Sequence, residues 1–416
     1  MPIWGTAQPG EKVTVKLGDA QAATAADAQG KWSVKLSAMK ANAVGQDLTV
    51  SGKNTIAVKD VLIGDVWLCG GQSNMEVPLR DCDAKDDIAS ADFPALRCIH
   101  TAMRGTLKPD RVVEGTWEIC TPANAPKFTG AGFYFGRRIL KETGVPIGLI
   151  NVAAGGTCIE ASIPPEGFAL EPWLTRQPAY AAMLKQPDHI ALGSVYNGKV
   201  KPVVPYGIKG AIWYQGEWNG GDTAYSCKMR ALIGGWRKVW NQGDFPFYFV
   251  QLPSDWFVDH SGAPPSGEPD GEDGIGLAIT RMEQLKSLQI ANTGMAVTID
   301  IGGGIHPTNK FDVGERLARW ALRDQYGKKD LLVSGPLYKE MTIEGNKIRL
   351  KFDHVGSGLM VGKKVGRAPT VEVKDGKLRP FAIVGDDKQW VWADAVIDGA
   401  DVVVSSPAVT NPVAVR

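Results

Sequence analysis

No apolar run in these 416 residues approaches the roughly 20 that a membrane-spanning helix requires, so the chain reads as soluble and no membrane partner is expected. An excess of one charge is also missing. Lys and Arg number 46 against 45 Asp and Glu, a net charge of +1. Without a strong field, nucleic acid is not an expected partner either, and a neutral substrate is easier to accommodate than a polyanion. The six cysteines, Cys69, Cys82, Cys98, Cys120, Cys158 and Cys227, are scattered. None stands in Cys-x-x-Cys or Cys/His spacing, which argues against a structural zinc or a thioredoxin-like site and leaves one or two disulfides open. Met1-Pro2-Ile3-Trp4-Gly5 lacks the basic and then apolar segments of a secretory leader, so no signal peptide is expected in this sequence. Histidine is scarce: His100, His189, His260, His306 and His354 are all there are.

What is present is globular, with 44% hydrophobic and 22% charged residues. The length suits two or so compact units. The 13 tryptophans and 49 glycines lean towards a sugar-handling protein, since indole faces stack on sugar rings, although core packing accounts for most of them. Residues 10–60 alternate with period two, as in Lys12-Val13-Thr14-Val15-Lys16-Leu17, and read as half-buried antiparallel strands. From about 61 the pattern changes to short continuous apolar runs: Val61–Leu68, Ile147–Ala153, Ile208–Tyr214, Phe245–Leu252 and Met295–Ile299. Such runs suit strands of a parallel sheet buried on both faces. Helices fit between them, at Phe133–Glu142 stopping at Gly144 and along the stripe Val313, Leu317, Trp320, Ala321. An α/β fold follows, a three-layer α/β/α domain with a mainly parallel sheet. After about 335 alternation returns. The expected organisation is a β-rich module over 1–60, a catalytic domain over 61–334 and a second β-rich module over 335–416, the flanking segments being β-sandwich-like. Gly262–Gly276 is too polar and broken to be an element and reads as a surface loop.

The chemistry gathers where buried runs end. Val61–Leu68 runs into Cys69-Gly70-Gly71-Gln72-Ser73-Asn74-Met75, a strand breaking into glycines and a serine at a turn, where a catalytic hydroxyl belongs. Ser73 is the candidate nucleophile; a plain helix cap is the alternative. Ile147–Ala153 ends in Ala154-Gly155-Gly156-Thr157, where glycine lets a backbone N–H approach a substrate oxygen, as it also does in a simple turn. Ile208–Tyr214 ends in Gln215-Gly216-Glu217-Trp218-Asn219, amides and a carboxylate that are costly to bury unpaired. Met295–Ile299 ends in Asp300, six residues before His306-Pro307. His306 alone among the histidines follows a core strand in a loop that precedes a helix, which makes it the candidate base.

Gly71-Gln72-Ser73-Asn74-Met75, Gly155-Gly156-Thr157 with Ile159-Glu160-Ala161, Trp213-Tyr214-Gln215-Gly216-Glu217, and Ile305-His306-Pro307 before Asn309-Lys310 together resemble the sialate O-acetylesterase family, a branch of the SGNH or GDSL-like hydrolases. The resemblance implies an SGNH-hydrolase domain, a serine esterase acting on O-acetylated sugars or glycans through an acetyl-enzyme, no cofactor, no metal, and a secreted or periplasmic location. It makes Ser73 the nucleophile and His306 the base. The Ser73 amide, Gly155 or Gly156, and Asn219 become the oxyanion donors. Gln72, Gln215, Glu217 and Arg281 become lining or bracing residues, and Arg281 comes with Glu283 and Gln284. Two departures stand out: Ser162 replaces a tryptophan after Ile159-Glu160-Ala161, and Gly304 stands where an aspartate is usual two residues before the histidine. Asp300 is then the expected orienting carboxylate; a Ser73–His306 dyad is the alternative. A binding protein without catalysis is the rival reading, and oligomeric state stays open.

Overall fold

Apolar runs become parallel strands here because helices cover both faces of the sheet they build. The computed structural model describes residues 1–101, 106, 107, 115–187, 191–253, 275–302, 304–378 and 381–416. Its central sheet consists of β1 (Asp65–Gly71), β2 (Phe93–His100), β3 (Glu118–Cys120), β4 (Ile147–Asn151), β5 (Gly210–Tyr214), β6 (Phe247–Gln251) and β7 (Thr293–Val297). They lie in the order β7-β6-β5-β1-β4-β2-β3. All neighbours are parallel except β3, which runs antiparallel to β2. β1 is therefore central, with β4 and β5 on its two sides.

The pleat divides each strand between two cores. Trp67 and Cys69 of β1, Ile212 and Tyr214 of β5, and Tyr248 and Val250 of β6 face one cluster. They meet α2 (Gly130–Thr143) and α5 (Lys310–Gln325) there through Phe133, Phe135, Val313 and Leu317. Leu68, Ala211, Trp213, Phe247 and Phe249 face the other cluster, with Ile233 and Trp236 of α3 (Tyr225–Trp240). Thr129 caps α2 by accepting from the Gly132 N–H, and Gly144 closes it in the left-handed conformation. Two further helices matter for the site: α1 (Ser73–Glu76), straight after β1 and packed against α2, and α4 (Ile275–Lys286), packed against α3.

The chain ends form antiparallel sheets. Lys12–Leu17, Ala20–Ala25, Asn42–Ser51 and Thr55–Ile63 make a four-stranded one, and Val13, Val15 and Leu17 pack there against Trp32, Val34 and Leu36. Near the other end, Leu337–Glu344, Lys347–Asp353, Asp394–Asp398 and Asp401–Ser405 form four strands, and Ala382–Gly385, Trp390–Trp392 and Pro412–Val415 form three. Ile348, Val402 and Val404 from the first share a core with Ile383 of the second, as in a sandwich. The three-layer α/β/α architecture with flanking β segments is thus as expected. Details differ. The run Val61–Leu68 is cut in two, because Thr55–Ile63 completes the amino-terminal sheet while β1 starts only at Asp65. β3, the edge strand, and β2 beside it join the central sheet without a continuous apolar run. Of Gly262–Gly276, residues 262–274 lie outside the described residues, and Ile275 and Gly276 open α4. No helix among the described residues is long and apolar enough to cross a membrane.

The turn after β1 depends on Gly71, whose φ is 133° and where a Cβ would stand 2.1 Å from the Tyr214 carbonyl oxygen. Strain and overpacking each cost about 1–3 kcal/mol, so Gly71→Ala should destabilise the protein by about 3 kcal/mol or more. A urea unfolding midpoint within error of wild type would refute this.

Candidate functional site

Four loops at the carboxyl edge of the central sheet converge on Ser73. The serine opens α1 directly after β1, so its N–H is one of the helix donors with no partner inside the helix. Gln72 fixes the turn: its backbone N–H donates to the Tyr214 carbonyl at 3.0 Å, and its side-chain oxygen accepts from the Trp218 N–H at 3.3 Å. His306 comes from the loop between β7 and α5, and its Nε2 lies 2.9 Å from Ser73 Oγ. The nucleophile and base expected from the sequence are therefore in contact. Burial of the imidazole's inner side, and then the positive charge of Lys310, hold the His306 pKa below its ordinary value.

The oxyanion donors are arranged differently from expectation. Gly155 is beside the serine, since a Cβ placed on it would lie 3.5 Å from Ser73 Cβ. Its N–H donates to Glu76 Oε2 at 2.7 Å, so a carboxylate oxygen already occupies that donor. Gly156 follows with φ at 67° and open space around it. Asn219 is not available as a donor in this geometry, and the expectation is corrected. Its amide nitrogen donates to Glu160 Oε2 at 3.0 Å and Asp222 Oδ2 at 3.3 Å, while its oxygen accepts from the Ile159 N–H and from Gln215. The reason is electrostatic: two carboxylates with little exposure need donors, and Lys228, which bridges Glu160 and Asp222, does not satisfy them alone.

Asp300 is a second correction. Its two carboxylate oxygens take the Arg316 guanidinium fork at 2.6 and 2.7 Å, and no hydrogen bond joins it to His306. Burial works against its ionisation, but the Arg316 bonds prevail and hold the carboxyl below its usual range. Gln215 is a buried brace, donating to Asn219 Oδ1 at 2.8 Å and accepting from Tyr225 Oη at 2.7 Å. Glu217 accepts from Asn74 Nδ2 at 2.5 Å, its other oxygen is enclosed without a partner among the described residues, and burial pushes its carboxyl upward. Arg281 points elsewhere, donating to the Pro253 carbonyl at 3.1 Å, while Gln284 supports the Gln215 carbonyl at 3.1 Å.

Three site residues had no role in the sequence reading: Glu76, Asn74 and Lys310. Lys310 carried a signal, a lysine at the start of a helix where positive charge is disfavoured. Glu76 carried none. The arrangement of hydroxyl, imidazole and adjacent backbone N–H groups is one that performs acyl transfer.

A family profile for carbohydrate esterases described as sialic acid-specific acetylesterases matches residues 63–322. The human sialate O-acetylesterase is 30% identical over 394 residues, an alignment covering 83% of this chain and 71% of that protein. The mouse sialate O-acetylesterase is 28% identical over 418 residues, with coverage of 84% and 75%. Among solved structures, a carbohydrate acetylesterase from Xanthomonas citri superposes with a TM-score of 0.84 at 36% identity, covering 100% of this chain and 89% of its own.

Because Asp300 serves Arg316, Asp300→Asn should leave the turnover number within about threefold of wild type, far from the roughly 10⁴-fold loss that follows when a triad carboxylate becomes an amide. Steady-state kinetics on the folded variant decide: a fall of several hundredfold would return Asp300 to the reaction.

Proposed function

The chain belongs to the carbohydrate esterase family of sialic acid-specific acetylesterases, and from that premise we propose that it removes O-acetyl groups from carbohydrates through an acetyl-enzyme formed on Ser73. The observation that carries this reading is the 2.9 Å contact between Ser73 Oγ and His306 Nε2. It also weighs against a binding protein that has lost catalysis, since such a protein has no need to keep a nucleophile and base in register.

In the proposed reaction, Ser73 Oγ attacks the acetyl carbonyl as His306 Nε2 takes the hydroxyl proton. Negative charge develops on the carbonyl oxygen, which the N–H groups of Ser73 and Gly155 are to stabilise. The substrate oxygen has to displace the Glu76 carboxylate from Gly155 to reach that donor. The protonated His306 then gives its proton to the departing sugar oxygen. Water, deprotonated by the same imidazole, attacks the acetyl carbonyl, the Ser73 ester bond breaks as His306 returns the proton to Oγ, and acetic acid leaves and ionises to acetate.

A cleft of about 380 Å³ is lined by Cys158, Glu160, Trp218, Asn219 and Asp222, and the Trp218 N–H ties this wall to Gln72, the residue before Ser73. Trp218 is 57% exposed and offers a face for a sugar ring. Two carboxylates share one Lys228 on this wall, so it holds excess negative charge and repels a sugar acid. We therefore assign neutral acetylated sugars and glycans, such as acetylated xylan, as preferred substrates over O-acetyl sialic acid.

Ser73→Ala should lower 4-nitrophenyl acetate turnover by a factor on the order of 10⁶, and the double variant with His306→Ala should be scarcely worse, because the two act as one unit. Full activity in Ser73→Ala would end the proposal. The depressed His306 pKa leaves the imidazole neutral to lower pH than usual, so the acid limb of kcat/KM should have its midpoint below about 6.5. In a panel of acetylated sugars, fastest cleavage of 9-O-acetyl sialic acid would overturn the neutral preference while leaving the esterase assignment intact.

A further inference from the structure

Lys310 is fully buried, 0% exposed, and is the first residue of α5 after the cap Asn309. Both circumstances are unfavourable to its charge, since burial strips an ammonium of water and a helix begins with its positive end. The carboxyl in its network, Glu217, is met through Asn74. What the position gains is geometric. Nζ donates to Asn74 Oδ1 at 2.6 Å and to the Pro307 carbonyl at 2.7 Å, and lies 5.2 Å from the centre of the Tyr214 ring. Asn74 follows Ser73, Pro307 follows His306, and Tyr214 ends β5, so one ammonium joins three of the segments that build the site. Asn74 in turn donates to the Ile305 carbonyl at 2.8 Å. Both carbonyls flanking His306 are thus held from the nucleophile turn, directly or through Lys310.

We propose that Lys310 is a positioning residue for deacetylation, locking the His306 loop to the Ser73 turn so that the imidazole is aimed by its clamped backbone rather than by a carboxylate on the ring. The inference rests on the Ser73–His306 reading of the site. It explains how the histidine is oriented in a chain with glycine at 304 and with Asp300 taken by Arg316.

Around Lys310 the titratable groups are Glu217 after β5, Cys82 in the turn following α1, and Tyr214 on β5. Burial raises the Cys82 thiol to about 11 and lowers Lys310 itself to about 8, so at neutral pH the thiol is uncharged and the ammonium persists. Lys310 is the charged group acting on His306, and it lowers the histidine's proton affinity.

The test compares wild type with Lys310→Met, using a serine-directed phosphonate to count active sites and 4-nitrophenyl acetate for turnover. Per active site, Lys310→Met should lose about 10²-fold in turnover, the size of effect expected when reacting groups are displaced by about an ångström. KM should stay within about threefold. The acid limb of kcat/KM should move upward, because the charge that depresses His306 is gone; a merely structural lysine would reduce the number of active sites and leave that limb in place. Should Lys310→Met not fold, Lys310→Gln, which keeps a donor and loses the charge, provides the same measurement. Normal phosphonate labelling in wild type, together with unchanged turnover per site or an unmoved acid limb in the folded variant, overturns the inference alone. Failure of wild type to label at Ser73 overturns the underlying Ser73–His306 reading.

Discussion

The contact between Ser73 Oγ and His306 Nε2 joins residues 233 positions apart, and its length is set by a chain of supports that begins in the sheet. β1 and β7 run parallel within one sheet, so both end at the same edge and both deliver their following loops there. Three strand widths separate them, which parallel pairing alone cannot bridge to hydrogen-bond tolerance. The remaining distance is crossed by polar groups: Asn74 and Lys310 reach the backbone on both sides of His306. Hydrophobic layering brings the loops near one another, and the buried hydrogen bonds define where each one stops.

Those supports differ in kind from the ones that fold the chain. The two apolar clusters against the sheet are non-directional and scale with area, and they tolerate small shifts of a helix without losing much. A buried ammonium with two carbonyl-type acceptors does not, because an unmet donor there costs its full desolvation. The same holds on the other wall, where Glu160, Asp222, Lys228 and Asn219 satisfy one another. The site is therefore fixed by polar groups that each have few alternatives, and its geometry is more sharply defined than hydrophobic packing could make it.

What could be read from the sequence follows from this contrast. Continuous apolar runs, period-two alternation and glycines at strand ends are local signals, and they were enough for the layered architecture, for the flanking β segments and for placing Ser73 and His306 at the ends of core strands. β2 was missed because Phe93–His100 lies towards the edge of the sheet and has neither pattern in pure form. Asp300 looked like the orienting acid because it was near in sequence, and only the fold shows that Arg316, 16 residues later, turns back one helix face to claim it. Asn219 reads as a free donor from its place after a core strand, but its amide nitrogen donates to Glu160 and Asp222. Pairings of this sort depend on tertiary neighbours, which spacing along a chain does not encode.

Replacing a carboxylate by a lysine near the base also changes what kind of base it is. An anion on the imidazole ring stabilises the imidazolium and raises its pKa, whereas a cation nearby works in the opposite direction. Here burial and Lys310 both lower it. A base of lower pKa abstracts a proton less avidly, and the developing imidazolium is less well compensated, so the chemical step at neutral pH gives up some driving force. In return the imidazole remains unprotonated in more acidic surroundings, where a histidine paired with a carboxylate would already be charged and inactive. Orientation and basicity, which a triad aspartate supplies together, are separated in this site: the backbone clamp aims the ring, while burial and then the Lys310 charge lower its proton affinity.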